Sequence, residues 1–101
     1  MSEIIYKICP RQAWDEAVRV GAYHGSADDR RDGFIHFSRE AQVAGTLEKH
    51  FAGQRDLVLV SVDAAALGDA LRFEPSRGGA LFPHLYGSLA TELALSVTPI
   101  A

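Results

Sequence analysis

The chain has 101 residues, 48% hydrophobic and 23% charged, which excludes disordered and fibrous classes and is enough for one modest core. A net charge of −3 leaves no cation excess to displace counterions from phosphates, so nucleic acid is not expected as a partner. The one cysteine, Cys9, cannot form an intrachain disulfide.

One domain over residues 1–101 is expected. The lone cysteine fits a reducing compartment, and the Met-Ser-Glu start carries no signal-peptide pattern. No apolar run approaches the roughly 18 residues of a spanning helix. A cytoplasmic protein without membrane contact is therefore expected. Cys9 itself reads as a small buried hydrophobe at a strand end.

Taken in order, "EIIYKIC" alternates around Ile4, Tyr6 and Ile8 and predicts a strand. Pro10 suits a helix start, Ala13, Trp14, Ala17 and Val18 recur at helical spacing, and Gly21 ends that helix. "GAYHGSADDRRDG" reads as a solvated loop whose arginines are locally neutralised. "GFIHFS" is the second strand, and Ser38 can cap a helix over "REAQVAGTLEKHFAG" with Val43, Ala44, Leu47 and Phe51 as its apolar stripe. "DLVLVSVD" predicts a central strand buried on both faces. "AAALGDA" reads as a turn, "LRFEP" as a short strand and "SRGGALFPHLYGSL" as a long connection. "TELALSVTPI" closes the chain as a strand with Leu93, Leu95 and Val97 on one face. The order predicts an α+β fold: a mixed sheet, open to being split, with two helices packed on it.

Period-two alternation puts Ile35 and Phe37 on one face of the second strand and Phe34, His36 and Ser38 on the other. A neutral imidazole donates from one nitrogen and accepts at the other, so His36 is the candidate catalytic residue. In "FPHLYG", Pro83 stiffens the backbone and Phe82, Leu85 and Tyr86 pin the segment to the body. That pinning makes His84 and Tyr86 candidates for a binding rim, expected to share one cleft with His36. His24 lies in the charged loop and His50 near a helix C-terminus, where the helix dipole accounts for it. No histidines or cysteines stand at metal-ligand spacing, so no metal is expected, and no G-x-S-x-G elbow is present.

"IIYKI", Trp14, "GAY", "DGFIHFS", Gln42, "FAG", "LVLVSVD", "LRFEP" and "FPHLYG" occur in the order of a bacterial family of unknown function with I-Y-H-I, D-G-F-I-H-x-S and F-P-H-L-Y-G signatures. The chain resembles that family over nearly its whole length. The family in turn resembles the ADP-ribosyltransferase-like superfold, where a first-strand histidine and a second-strand histidine or aromatic followed by a small hydroxyl residue hold NAD in a split sheet. That resemblance implies His36 and Ser38 as the second-strand motif and puts Lys7 where the histidine stands. A lysine has no acceptor, though it can meet a phosphate. Glu74 and Glu92 match the late glutamate by position only.

The expected cleft is thus lined by Lys7, His36, Ser38, His84 and Tyr86. Lys7 and Ser38 would hold the phosphate or ribose of a small nucleotide-like ligand, NAD or ADP-ribose; no other cofactor is implied. His36 would orient the ribose or act as general acid/base, and Tyr86 would stack on a ring. A non-catalytic module binding a small metabolite or peptide, or an interaction domain, uses the same residues. An acid beside His36 discriminates in favour of catalysis. Oligomeric state has no signal in the sequence.

Overall fold

The computed structural model describes residues 3–100; Met1, Ser2 and Ala101 lie outside them. Strand β1 (Ile4–Pro10) runs directly into helix α1 (Arg11–Val20), and Gly21 closes the helix at φ 93° with its N–H on the Ala17 carbonyl. Next come β2 (Ala22–Tyr23), α2 (Ala27–Asp32), β3 (Ile35–His36), β4 (Ser38–Arg39) and α3 (Val43–His50). Then follow β5 (Leu57–Asp63), β6 (Leu71–Pro75), β7 (Leu81–Leu85), β8 (Leu89–Ala90) and β9 (Ala94–Pro99).

The fold is α+β, its strands divided among three sheets ordered β4-β1-β5-β9, β3-β7-β6 and β2-β8. Every described pairing is antiparallel, which corrects the expected mixture of strand directions. A helix between strands permits a parallel crossover but does not impose one. Here the chain leaves α1 for β2, and β5 returns beside β1 from the other end.

The core gathers Ile5, Cys9, Trp14, Tyr23, Ile35, Phe37, Val58, Val60, Val62, Leu85 and Leu89. In β1 the core cluster takes Ile5 and Cys9, with Lys7 buried between them; of the alternating set Ile4, Tyr6 and Ile8, only Ile8 is buried. Alternation could not choose, because both faces of that strand are apolar. β5 is central and nearly all buried, as its composition predicts. β9 is an edge strand beside β5, and Leu95 on it is 61% exposed.

Two further differences bear on the site. The run GFIHFS is one extended segment shared by two sheets: His36 pairs with His84 of β7, and Ser38 pairs with Tyr6 of β1. Ser38 does not cap a helix; its hydroxyl lies 2.9 Å from that of Thr46, and α3 starts later, after a 3-10 turn over Glu40–Gln42. The expected long connection holds β7, the middle strand of its sheet, with Pro83 inside it. Proline is tolerated because its polar backbone side faces the Phe37 N–H (2.9 Å), at the point where the shared segment leaves the sheet, so its missing N–H costs no ladder bond to β6.

The predicted solvated loop contains α2, entered through Gly25 at φ 101°. A Cβ on Gly25 would stand 2.8 Å from the Asp29 Cβ, whereas one on Gly53 (φ 78°) would meet nothing within 4 Å. Gly53→Ala should therefore cost only the left-handed strain, about 1–2 kcal/mol. Gly25→Ala should cost clearly more, because Asp29 must move as well. Thermal denaturation of both variants checks this, and equal losses would show that Asp29 is not tightly seated.

Candidate functional site

Asp29 organises the site. Ser26 caps α2, its hydroxyl accepting from the Asp29 N–H at 3.1 Å while the Ser26 N–H donates back to Asp29 Oδ2 at 2.9 Å. This reciprocal box turns the Asp29 side chain inward, where the residue is 2% exposed. The same Oδ2 accepts from Lys7 Nζ at 2.9 Å. Oδ1 accepts from the His36 backbone N–H at 3.2 Å and faces His36 Nδ1 at 2.6 Å. Four donors thus fill a group with about four lone-pair sites. Burial by itself would raise the Asp29 pKa; the His36 bond, the Lys7 charge and bond and the Ser26 N–H outweigh it and hold the carboxyl well below the usual carboxylate range.

His36 is bracketed by acids. Its Nδ1 faces Asp29, and its Nε2 lies 3.0 Å from Asp32 Oδ2. Each ring nitrogen of His36 thus has a carboxylate oxygen within hydrogen-bond distance. His84, its cross-strand partner, sets Nδ1 2.8 Å from Glu74 Oε1, and the Tyr86 hydroxyl donates to the same oxygen at 2.7 Å. Those bonds, Tyr86 first and then His84, hold the Glu74 carboxyl below its ordinary range. The ring of Phe34 stacks on His84 with centroids 4.0 Å apart, and the two imidazoles stand 5.5 Å apart, edge to face.

Lys7, His36, Ser38 and His84 line one open cleft of about 170 Å³, and Asp29, Asp32, Thr46, His50 and Phe82 contribute to its walls. Tyr86 does not line it. Its ring packs 5.2 Å from that of Phe34, under the Arg72 guanidinium, so the stacking role expected of it falls outside the cleft. Lys7 is buried and engaged: besides Asp29, it donates to the His36 carbonyl at 3.1 Å, instead of standing free for a phosphate. Of the two glutamates matched by position, Glu74 supports His84, and Glu92 sits exposed in a turn over Thr91–Leu93. His24 meets the Ser88 hydroxyl at 2.6 Å, outside the cleft. Burial pushes the Cys9 thiol up to about 11, as expected of a buried hydrophobe. Among the described residues no cluster of histidine, cysteine and carboxylate side chains is arranged to hold a metal, and no helix is long and apolar enough to cross a membrane.

Sequence reasoning missed Asp29, Asp32 and the cleft position of His50. The signal for Asp29 was present: Ser26-Ala27-Asp28-Asp29 has the S-x-x-D spacing of a capping box, with Gly33 as the matching stop. Asp32 stands at i, i+4 from His36 within the quoted DGFIHFS.

Fold and site together define a small α+β protein with an acid-braced histidine cleft. The chain belongs to the family described as "Protein of unknown function (DUF952)", whose model matches residues 8–97. It is similar to protein CC0527 from Caulobacter crescentus: in the crystal structure of that protein the identity is 46% and the TM-score 0.94, over 97% of this chain and 86% of that one. A crystal structure of a double mutant of CC0527 gives 45% and 0.94 over the same shares, and its solution NMR structure gives 46% and 0.86 over 96% and 84%. No curated protein matches the chain.

The saturated carboxylate has a pH signature. The folded pKa of Asp29 lies below its unfolded value, roughly 3.9, so in acid the unfolded chain takes up the proton first. The stabilisation is fully present above that value and is lost as pH falls through it towards the folded pKa. Denaturant titrations should show unfolding free energy falling as pH drops below about 4.5. Asp29→Asn should remove part of that dependence and lower stability near neutrality by about 3–5 kcal/mol, because Lys7 is left buried without its counter-ion. Parallel profiles for the two proteins would contradict this.

Proposed function

We propose that the cleft binds a small nucleotide-like ligand of the NAD or ADP-ribose class through its sugar, with His36 touching the ribose as the acid/base group. The observation that carries the reading is the 2.6 Å contact between His36 Nδ1 and a buried, ionised Asp29 in a cleft that a ligand can enter. A carboxylate on one ring nitrogen fixes the orientation of an imidazole, and proton transfer to or from a hydroxyl requires an imidazole so oriented.

The ligand class comes from the resemblance to the ADP-ribosyltransferase-like superfold. There the first strand and the second-strand motif act on one ligand. In support, Lys7 reaches the His36 carbonyl, and Tyr6 and Ser38 are register partners across β1 and β4. The chain departs from the superfold at Lys7, whose ammonium is bound to Asp29 and cannot accept a hydrogen bond. Binding with weak or no NAD hydrolysis is the expected behaviour. A non-catalytic binding module is the second reading, favoured by the Asp32 contact, which occupies the other nitrogen of His36.

Amide chemical shifts followed during titration with NAD, ADP-ribose and nucleosides test the proposal. Residues 5–9 and 33–38 should respond, and His36→Ala, checked for a dispersed native spectrum, should abolish the response. Silence of both segments towards every ligand at millimolar concentration, meaning binding weaker than roughly 4 kcal/mol, would exclude the nucleotide reading.

A further inference from the structure

We infer that His84 selects the ligand by its hydrogen-bond polarity: Glu74 holds the ring with its proton on Nδ1, Nε2 presents a lone pair to the cleft, and the ligand brings a hydroxyl or N–H donor to that nitrogen. This rests on the cleft binding the ligand class proposed above, and it names the polarity of one contact.

Strand register sets up the arrangement. His84 of β7 is paired with His36 on one side and with Arg72 of β6 on the other, and Glu74 is paired with Phe82. Period-two alternation therefore puts Arg72, Glu74, Phe82 and His84 on one face, with Glu74 diagonal to His84. Glu74 Oε1 lies 2.8 Å from His84 Nδ1 and accepts the Tyr86 hydroxyl at 2.7 Å. The Tyr86 bond, and then the His84 bond, hold the Glu74 carboxyl below its ordinary range, so it stands ionised and can only accept. Nδ1 must then supply the proton of the bond between them. In a neutral imidazole the other nitrogen is left as an acceptor.

That nitrogen is open and reachable. Among the described residues, no protein group bonds to His84 Nε2, and the Tyr23 hydroxyl is the one buried side-chain polar atom without a partner, so Nε2 is not sealed in. The ring's small residual exposure opens on the cleft that it lines. Its polar neighbours are engaged. Both His36 nitrogens face carboxylates, at 2.6 and 3.0 Å. Lys7 is bonded to Asp29 and to the His36 carbonyl, and the Ser38 hydroxyl lies against that of Thr46. A ligand hydroxyl that enters beside His36 finds its open acceptor at His84.

Two measurements test this. In the unmodified protein at about pH 8, where an ordinary imidazole is neutral, the ring nitrogen chemical shifts of His84 should place the proton on Nδ1. Adenosine, 2′-deoxyadenosine and 3′-deoxyadenosine should differ in chemical-shift titrations, because loss of the hydroxyl that reaches Nε2 weakens binding about three- to tenfold. In Glu74→Ala, checked for a dispersed native spectrum, the proton should redistribute towards Nε2 and the difference between the nucleosides should shrink. A proton found on Nε2 in the unmodified protein would overturn the inference, whether or not the variant folds. Equal binding of the three nucleosides, or an unchanged ratio in Glu74→Ala, would overturn it too and leave the nucleotide reading standing. Silence towards all three would remove both.

Discussion

The site depends on one buried carboxylate whose hydrogen-bonding capacity is used up. Asp29 joins β1 through Lys7, closes the first turn of α2 through Ser26, and fixes β3 through the backbone and ring of His36. Three segments, one of them 22 residues away in sequence, are thereby held to one point. A buried ion pair is weak evidence for net stability, because removing both charges from water costs about as much as their attraction returns. Its consequence is positional. With every acceptor site filled, Asp29 cannot rotate without breaking a bond, and the imidazole inherits that rigidity. Gly25 belongs to the same arrangement, since only a residue without Cβ leaves room for Asp29 to turn inward.

The second constraint is the segment that belongs to two sheets. His36 is paired to β7 and Ser38 to β1, so the backbone between them spans the divergence of the sheets. Side chains that alternate towards one face there open onto a gap instead of a packed layer. Ile35 and Phe37, pointing the other way, are buried in the core and anchor the segment. The cleft is therefore a product of topology, while its chemistry comes from the few side chains that line it, and fold alone does not decide what they act on.

Much of this was legible in the sequence, and for identifiable reasons. Strict alternation in GFIHFS fixed which residues face the core and which face the cleft, and the two apolar histidine motifs met as neighbours. Composition marked β5 as central. The failures have physical causes too. ADDRRD is so highly charged that it reads as solvent-exposed, and one of its three aspartates is among the most buried residues of the chain; only the capping spacing, a local hydrogen-bond signal, separates Asp29 from Asp28. SRGGALFPHLYGSL reads as a connection because of its glycines and proline; the structure keeps Pro83 inside β7, paired in register with Phe73 of β6, with its carbonyl turned to the Phe37 N–H. The resemblance puts Lys7 in the cleft wall, ready to meet a phosphate. Its buried position follows from Asp29, which lies 22 residues away in sequence.

The two imidazoles are braced in opposite senses, and this separates their roles. His36 is 36% exposed and its partner Asp29 is buried; His84 is 5% exposed and its partner Glu74 is 33% exposed. The ring that a ligand can reach is thus held by an acid that solvent cannot reach. Burial holds that carboxylate in place against the ring, 2.6 Å from Nδ1. The ring that a ligand reaches less easily is clamped between Phe34 and the His36 edge, and its acid, shared with the Tyr86 hydroxyl, stands at the surface. His84 accordingly serves as the wall against which the cleft is shaped. At His36 alone of the two do ring exposure and a buried carboxylate partner coincide.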